Sequence, residues 1–207
     1  MPPLSPAQLL ERRSFIGASE ISWLFPGGYG SELDLFLLKT GKKEPWKGNE
    51  ATDRGHRLEP FAAARYQIAH PGLDVIVPDP PTVRHPDFEW AACSPDRYTL
   101  SHETGELGGV ELKTVSFWMW LRTWKRGQLI QQSYLMQVQW TMACTGMDWW
   151  DLAALYQQEP DGEFDAFVEW TIHRDEELIE MMMTKARAFW LDHVLTGKPP
   201  KSTRRYR

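Results

Sequence analysis

Cysteine is scarce in this chain: two in 207 residues, Cys93 and Cys144, without the spacing of a metal-ligand set or of a disulfide framework. Both lie in apolar runs and read as buried free thiols, the state expected in a reducing cytoplasm. No run approaches the ~18 apolar residues of a membrane helix. The first residues lack the basic and apolar regions of a signal peptide. These absences predict a cytoplasmic protein with no membrane partner. An excess of positive charge is missing too. The formal net charge of -5 excludes a DNA-coating protein of the histone kind, though not a protein whose acidic exterior surrounds a basic channel. Internal repeats and low-complexity segments are also absent.

What is present is ample apolar material. Hydrophobic residues make up 42%, with eleven tryptophans, enough for one domain spanning residues 1–207. Its expected parts are an N-terminal helical portion, 1–50, and a basic tail, 201–207. Ser5-Pro6 has the cap and first-turn signature of a short helix towards Arg12. A second short helix is predicted over 18–25, and a third is capped by Ser31 and stopped at Gly41. Residues 52–70 read as a helix packing through Leu58, Phe61, Ala62, Arg65 and Tyr66, bent or started at Pro60. Glu59 falls on a neighbouring stripe with Gly55 and Ala63. Strands are predicted over 74–77, 82–84, 89–93, 149–156 and 166–172. A helix over 129–145 is closed by Gly146, and a terminal helix capped by Asp175 packs through Leu178, Met181, Met182, Phe189 and Trp190. The expected fold is α/β: a mixed sheet of about five strands with helices on both sides and the acidic residues at one sheet edge.

The chemistry concentrates in Ala92-Cys-Ser-Pro-Asp96 and Gly109-Val-Glu-Leu-Lys113. Val110 to Val115 alternates apolar and polar, so Glu111 and Lys113 share one face of a strand. The run 96–100 is also extended, and the polar, turn-rich stretch between makes an antiparallel hairpin. A loop centred near Thr104-Gly105 sets Asp96 opposite Lys113, within a residue or two. Two carboxylates and an ammonium then converge, the donor set that suits Mg²⁺ sharing its shell with phosphate oxygens. Glu-x-Lys alone reads as an ordinary surface ion pair; the upstream Ser-Pro-Asp tips the balance towards a site. Phe117 to Arg126 interleaves aromatic and basic residues, which suits either single-strand stacking or packing. The loop Gly41 to Gly48 is basic and either solvated or set against a DNA backbone.

These residues resemble the D…(D/E)-x-K core of the restriction-endonuclease-like PD-(D/E)xK nucleases. More narrowly, they resemble the phage lambda exonuclease and YqaJ-type viral recombinase nucleases. The resemblance runs through Phe15-Ile-Gly-Ala-Ser-Glu-Ile21, Gly55-His-Arg-Leu-Glu59, Ala92 to Asp96, Glu111 to Lys113 and Tyr134-Leu-Met-Gln-Val-Gln139, in the family's order. It implies a metal-dependent 5′→3′ exonuclease that degrades one strand of linear duplex DNA to mononucleotides and leaves 3′ single strands for a single-strand annealing protein. It implies two Mg²⁺ ions, with Mn²⁺ as substitute, held by Asp96, Glu111, the Leu112 carbonyl and Glu59, with Lys113 orienting the attacking water. Arg12, Ser19 and Ser94 would bind the terminal 5′ phosphate, and Gln137 rather than Gln139 would reach the site. A closed homo-oligomer, a trimer, is also implied, and the tryptophans at 118, 120, 124, 149 and 150 suit subunit contacts. Thr114 stands where the lambda enzyme has Cys-Pro, and the Glu106-Leu-Gly-Gly hairpin end is longer. The rival readings are a structure-specific or restriction-type endonuclease and a non-catalytic DNA-binding or assembly module.

Overall fold

The computed structural model describes residues 6–45, 48, 50–116, 130–157 and 164–201. The tryptophan-rich segment 117–126, the acidic turn 159–162 and the tail from 202 onward lie outside the described residues.

Helix α1 (Pro6–Glu11) runs into a 3₁₀ turn, Arg12–Ser14. The helix expected over 18–25 is shorter: a 3₁₀ turn, Ile21–Leu24, whose bonds span three residues, from Trp23 N to Glu20 O and from Phe25 N to Ser22 O. Ser31 starts α2 (Glu32–Lys39) with a capping box, its hydroxyl accepting from Asp34 N at 3.1 Å while the Asp34 carboxylate accepts from Ser31 N.

Helix α3 (Glu50–Ala69) is unbroken at Pro60, which sits on its exposed side. Its packed face differs from the expected one. Phe61 is 57% exposed and Arg65 points outward, while Glu59, Ala62, Ala63 and Tyr66 face the sheet. The physical reason is depth: Val110, Leu112 and Leu155 already fill that layer, so alanines let the helix sit close. The fully buried Tyr66 finds a partner for its hydroxyl in the Asp151 carboxylate.

The strands are β1 (Leu73–Ile76), β2 (Val83–Arg84), β3 (Ala92–Cys93), β4 (Arg97–Ser101), β5 (Leu107–Ser116), β6 (Trp149–Gln157) and β7 (Phe164–His173). Five form one mixed sheet in the order β1-β4-β5-β6-β7, parallel only between β5 and β6; β2 and β3 form a small second sheet. The parallel pair follows from the long connection through α4 (Gln132–Thr145), which covers the face opposite α3 and ends at Gly146 in the left-handed region, φ 73°. Helix α5 (Glu176–Phe189), capped by Asp175, continues as a π turn, Trp190–Val194. Met181, expected inside, is 47% exposed; Ile179, Met182, Ala186 and Phe189 take the core positions. Cys93 and Cys144 are buried and free. No described helix is long and apolar enough to cross a membrane.

The acids sit where the middle strand of the sheet loses one of its neighbours, not on an outer strand. Strand β5 is the middle strand of five, and β4 pairs with it only as far as Arg97 opposite Val110. Beyond that point β5 runs on beside β6 alone to Ser116, so a notch opens at Glu111 and Lys113.

Trp150 is fully buried between the sheet and α4, and the indole of Trp149 lies over Gly108, so both serve packing within the chain. A Cβ on Gly109 would come within 2.3 Å of the Trp150 ring. A flat indole cannot yield as a flexible chain end does, and overpacking of this kind costs about 1–3 kcal/mol. Gly109→Ala should therefore lower the urea midpoint by a corresponding amount with an unchanged m-value. A variant as stable as the parent would show that the indole moves aside freely.

Candidate active site

The hairpin of β4 and β5 turns one residue earlier than expected. Ser101 N bonds Glu106 O, and the register places Asp96 beside Glu111 rather than Lys113, within the tolerance of the sequence reading. Asp96 is fixed across the strand end, its Oδ2 accepting from the Leu112 N–H at 2.8 Å. Glu111 is only 3% exposed and lies on the α4 side with Lys113. Lys113 Nζ donates to Glu111 Oε1 at 2.6 Å and to Gln137 Oε1 at 3.2 Å, while Gln137 Nε2 donates to the same Glu111 oxygen at 2.5 Å. An amide suits this place because it has both a donor for the carboxylate and an acceptor for the ammonium. The ammonium also stands 5.2 Å from the Tyr134 ring centre. Gln139 does separate work: it donates to His173 O and accepts from Asp175 N, joining β7 to the start of α5.

Charge is concentrated in the notch. Burial, and then the neighbouring Glu111 carboxylate, push Asp96 up to about 8. Burial alone would lower Lys113, but Glu111 and then Asp96 outweigh it and hold the ammonium above its ordinary value. Among the described residues no three of His, Cys, Asp and Glu gather closely enough to hold a metal by themselves. Two carboxylates that repel each other are nevertheless the protein share of a typical Mg²⁺ shell, which water and phosphate complete. The Asp96–Glu111 pair fits such an ion, and its charge would relieve the strain that raises Asp96.

Glu59 reaches the site differently. It is 8% exposed, and its Oε1 accepts from Arg97 Nη1 at 2.8 Å; the same nitrogen donates to the Asp96 carbonyl at 2.5 Å. Arg97 was missed in the sequence. The available signal was a charged residue alternating with Thr99 on the inward side of β4, where it must find a partner.

Arg12 and Ser19 line one cavity of about 460 Å³, together with Arg13, Glu20, Lys39 and His56. Buried Lys39, also missed, holds its wall: Nζ donates to Arg12 O at 2.7 Å and to Glu20 Oε2 at 2.6 Å. Ser94 does not line this cavity; its hydroxyl lies 3.4 Å from that of Thr82. His56 and Glu59 are less than one turn apart on α3, so the same helix borders both cavity and notch.

Residues 9–148 match the YqaJ-like viral recombinase domain. The chain is 30% identical over 194 residues to the uncharacterized protein YqaJ of Bacillus subtilis (strain 168), covering 93% of this chain and 57% of that protein. It therefore spans little more than half the length of this relative. Among solved structures it is similar to the alkaline exonuclease LHK-Exo from Laribacter hongkongensis, at 27% identity and a TM-score of 0.75 over 94% of each chain. A complex of LHK-Exo with dAMP gives 26% identity and 0.76 over the same shares. A phage related exonuclease from Haemophilus somnus 129PT, at 14% identity and a TM-score of 0.60 over 88% of this chain and 96% of that one, shares the fold. A domain match through more than half of the chain settles the relationship: it belongs to the YqaJ-like viral recombinase family and has the fold of the phage-type alkaline exonucleases.

Proposed function

We propose that this protein is a metal-dependent 5′→3′ exonuclease acting on the ends of linear duplex DNA and releasing mononucleotides. The observation that carries the reading is the pair of carboxylates, Asp96 and Glu111, whose charges act on one another where the β4 pairing ends, with Lys113 fixed beside Glu111 and Gln137. The similarity to LHK-Exo, an alkaline exonuclease crystallised with a deoxynucleoside monophosphate, supports the substrate class.

Asp96 and Glu111, with the Leu112 carbonyl, would hold Mg²⁺, or Mn²⁺ in its place. Such an ion supplies positive charge against the charge that builds on the phosphoryl oxygens during in-line displacement. Lys113, held in place by Glu111 and Gln137, would orient the attacking water by donating a hydrogen bond. Gln137 keeps ammonium and carboxylate in register while phosphate enters. Arg12 and Ser19 would take the 5′ phosphate in the adjoining cavity, since a guanidinium fork donates two charge-assisted bonds to phosphate oxygens. A phosphate held there fixes the scissile bond relative to the carboxylates, which gives both polarity and product size. A ring-shaped homotrimer and delivery of 3′ single strands to an annealing protein belong to the same proposal and rest on the family resemblance.

Asp96→Asn and Glu111→Gln should nearly abolish release of nucleotides from end-labelled linear duplex in Mg²⁺ while leaving duplex binding in Ca²⁺. Lys113→Ala should slow the single-turnover step by roughly 10²–10³-fold, the usual worth of one preorganised hydrogen-bond donor. Wild-type turnover by any of the three would remove the assignment. Closed circular DNA should remain intact; nicking of it would favour the endonuclease reading.

The end pocket is tested with 5′-phosphate and 5′-hydroxyl duplexes. The parent should digest the phosphorylated end faster, and Arg12→Ala should lose most of that preference even at saturating DNA. Digestion from the 3′ end, or indifference to the phosphate, would sink the polarity.

A pH signature follows from Asp96. An aspartate near 3.9 when unfolded and near 8 when folded binds more protons in the folded state between those values. The cation-free protein should therefore lose stability as pH rises from about 4 to about 8. Asp96→Asn should be less sensitive over that window and more stable than the parent at its upper end. Urea midpoints in EDTA that move in parallel for both proteins would show that Asp96 is not strained.

A further inference from the structure

The cavity assigned to the terminal 5′ phosphate receives its two phosphate-binding residues from separate turns. Arg12 opens the 3₁₀ turn Arg12–Ser14, and Ser19 sits in the turn that Glu20 N closes by donating to Gly17 O at 2.9 Å. A guanidinium and a hydroxyl can share one phosphate only if those turns keep a fixed spacing. Lys39, the last residue of α2, joins them from outside. Its side chain is 2% exposed, and its ammonium donates at once to Arg12 O at 2.7 Å and to Glu20 Oε2 at 2.6 Å. The same Glu20 oxygen accepts from Gly17 N at 2.7 Å, so this acid folds back across the turn that carries Ser19. The Arg12 guanidinium lies close by: a Cβ on Gly17 would stand 3.2 Å from Arg12 Nη2 and 3.2 Å from Glu20 Oε2. Burial pushes Lys39 below the ordinary lysine value; Glu20 opposes this, and the nearby Arg12 guanidinium adds to it. Such a pair is a poor source of stability, because desolvation offsets much of its attraction. What an ammonium with two acceptors does give is geometry, since it holds one turn against the other.

We infer that Lys39 is a positioning residue for the DNA end: through Arg12 O and Glu20 it sets the Arg12 guanidinium relative to the Ser19 hydroxyl, so that the terminal phosphate is held in register with the Asp96–Glu111 site. The inference rests on the end pocket proposed above. Contact with phosphate belongs to Arg12 and Ser19; Lys39 lines the same cavity but commits its ammonium to the two turns. Loss of Lys39 should therefore act on the phosphorylated end alone, and on rate as well as affinity.

The test compares linear duplexes with 5′-phosphate and 5′-hydroxyl ends, at saturating DNA, for the parent, Lys39→Met and Lys39→Met/Glu20→Gln. Methionine keeps an unbranched apolar stem and removes the donors. The double variant also removes the acid that the single one leaves without its cation, and it carries the test if Lys39→Met does not fold. In the folded variant the ratio of phosphorylated-end to hydroxyl-end rates should fall by roughly 10-fold, the effect of one misplaced charge-assisted hydrogen bond. The kcat on hydroxyl ends should stay at the parent value. Equal slowing on both ends would mark a merely structural residue and overturn the inference, as would an unchanged ratio or a loss confined to KM. A parent that is itself indifferent to the phosphate removes the end pocket, and this inference with it. A parent that prefers the phosphate, beside a variant that prefers it equally, removes the Lys39 assignment alone.

Discussion

One oxygen organises this molecule. Glu111 Oε1, almost out of solvent in the middle strand of the sheet, takes hydrogen bonds from Lys113 and from Gln137 at once. A carboxylate at that depth is costly unless charge and donors surround it. Lys113 supplies the charge from the same strand face, and Gln137 supplies the donor from the helix across the layer. The helix is thereby pinned to the strand at a polar contact, within a layer that Val138, Met142, Trp150 and Leu152 otherwise pack with apolar side chains.

Polar residues at the two faces of the sheet therefore have different work. On the α4 face Glu111 is held by Lys113 and Gln137, and its charge still raises Asp96. On the α3 face they are already matched: Glu59 with Arg97, and Tyr66 with Asp151. The notch lies where the two regimes meet, at the end of the β4 pairing.

Much of this was readable from residue order. Alternation from Val110 to Val115 put Glu111 and Lys113 on one face, and the turn chemistry between the two runs brought Asp96 alongside. Of the two glutamines Gln137 is the one that touches Glu111 and Lys113, while Gln139 bonds His173 O and Asp175 N. What escaped were contacts between distant segments. Helical periodicity could not tell which stripe of α3 faces the sheet, because Phe61 looks like core and Glu59 like surface until the close layer spacing is known. Nothing in the sequence around Lys39, in the last turn of α2, signals burial; only the folded chain shows its ammonium buried against Glu20 and Arg12. Ser94 was adjacent to Asp96 in sequence, yet adjacency did not bring it to the cavity of Arg12 and Ser19.

The glycine pair at the start of β5 has a bearing on fidelity of folding. In the parallel register Gly108 and Gly109 lie beside Trp149 and Trp150, whose rings occupy the volume a Cβ would need. A slip of two residues would keep every side chain on its proper face, so hydrophobic patterning alone cannot forbid it. It would, however, bring Leu107 or Glu111 to the place of Gly109 beneath the Trp150 indole. The smallest residues in the strand thus act as a vernier: they allow the two strands to mate at one setting, and that setting fixes where Glu111 and Lys113 face α4.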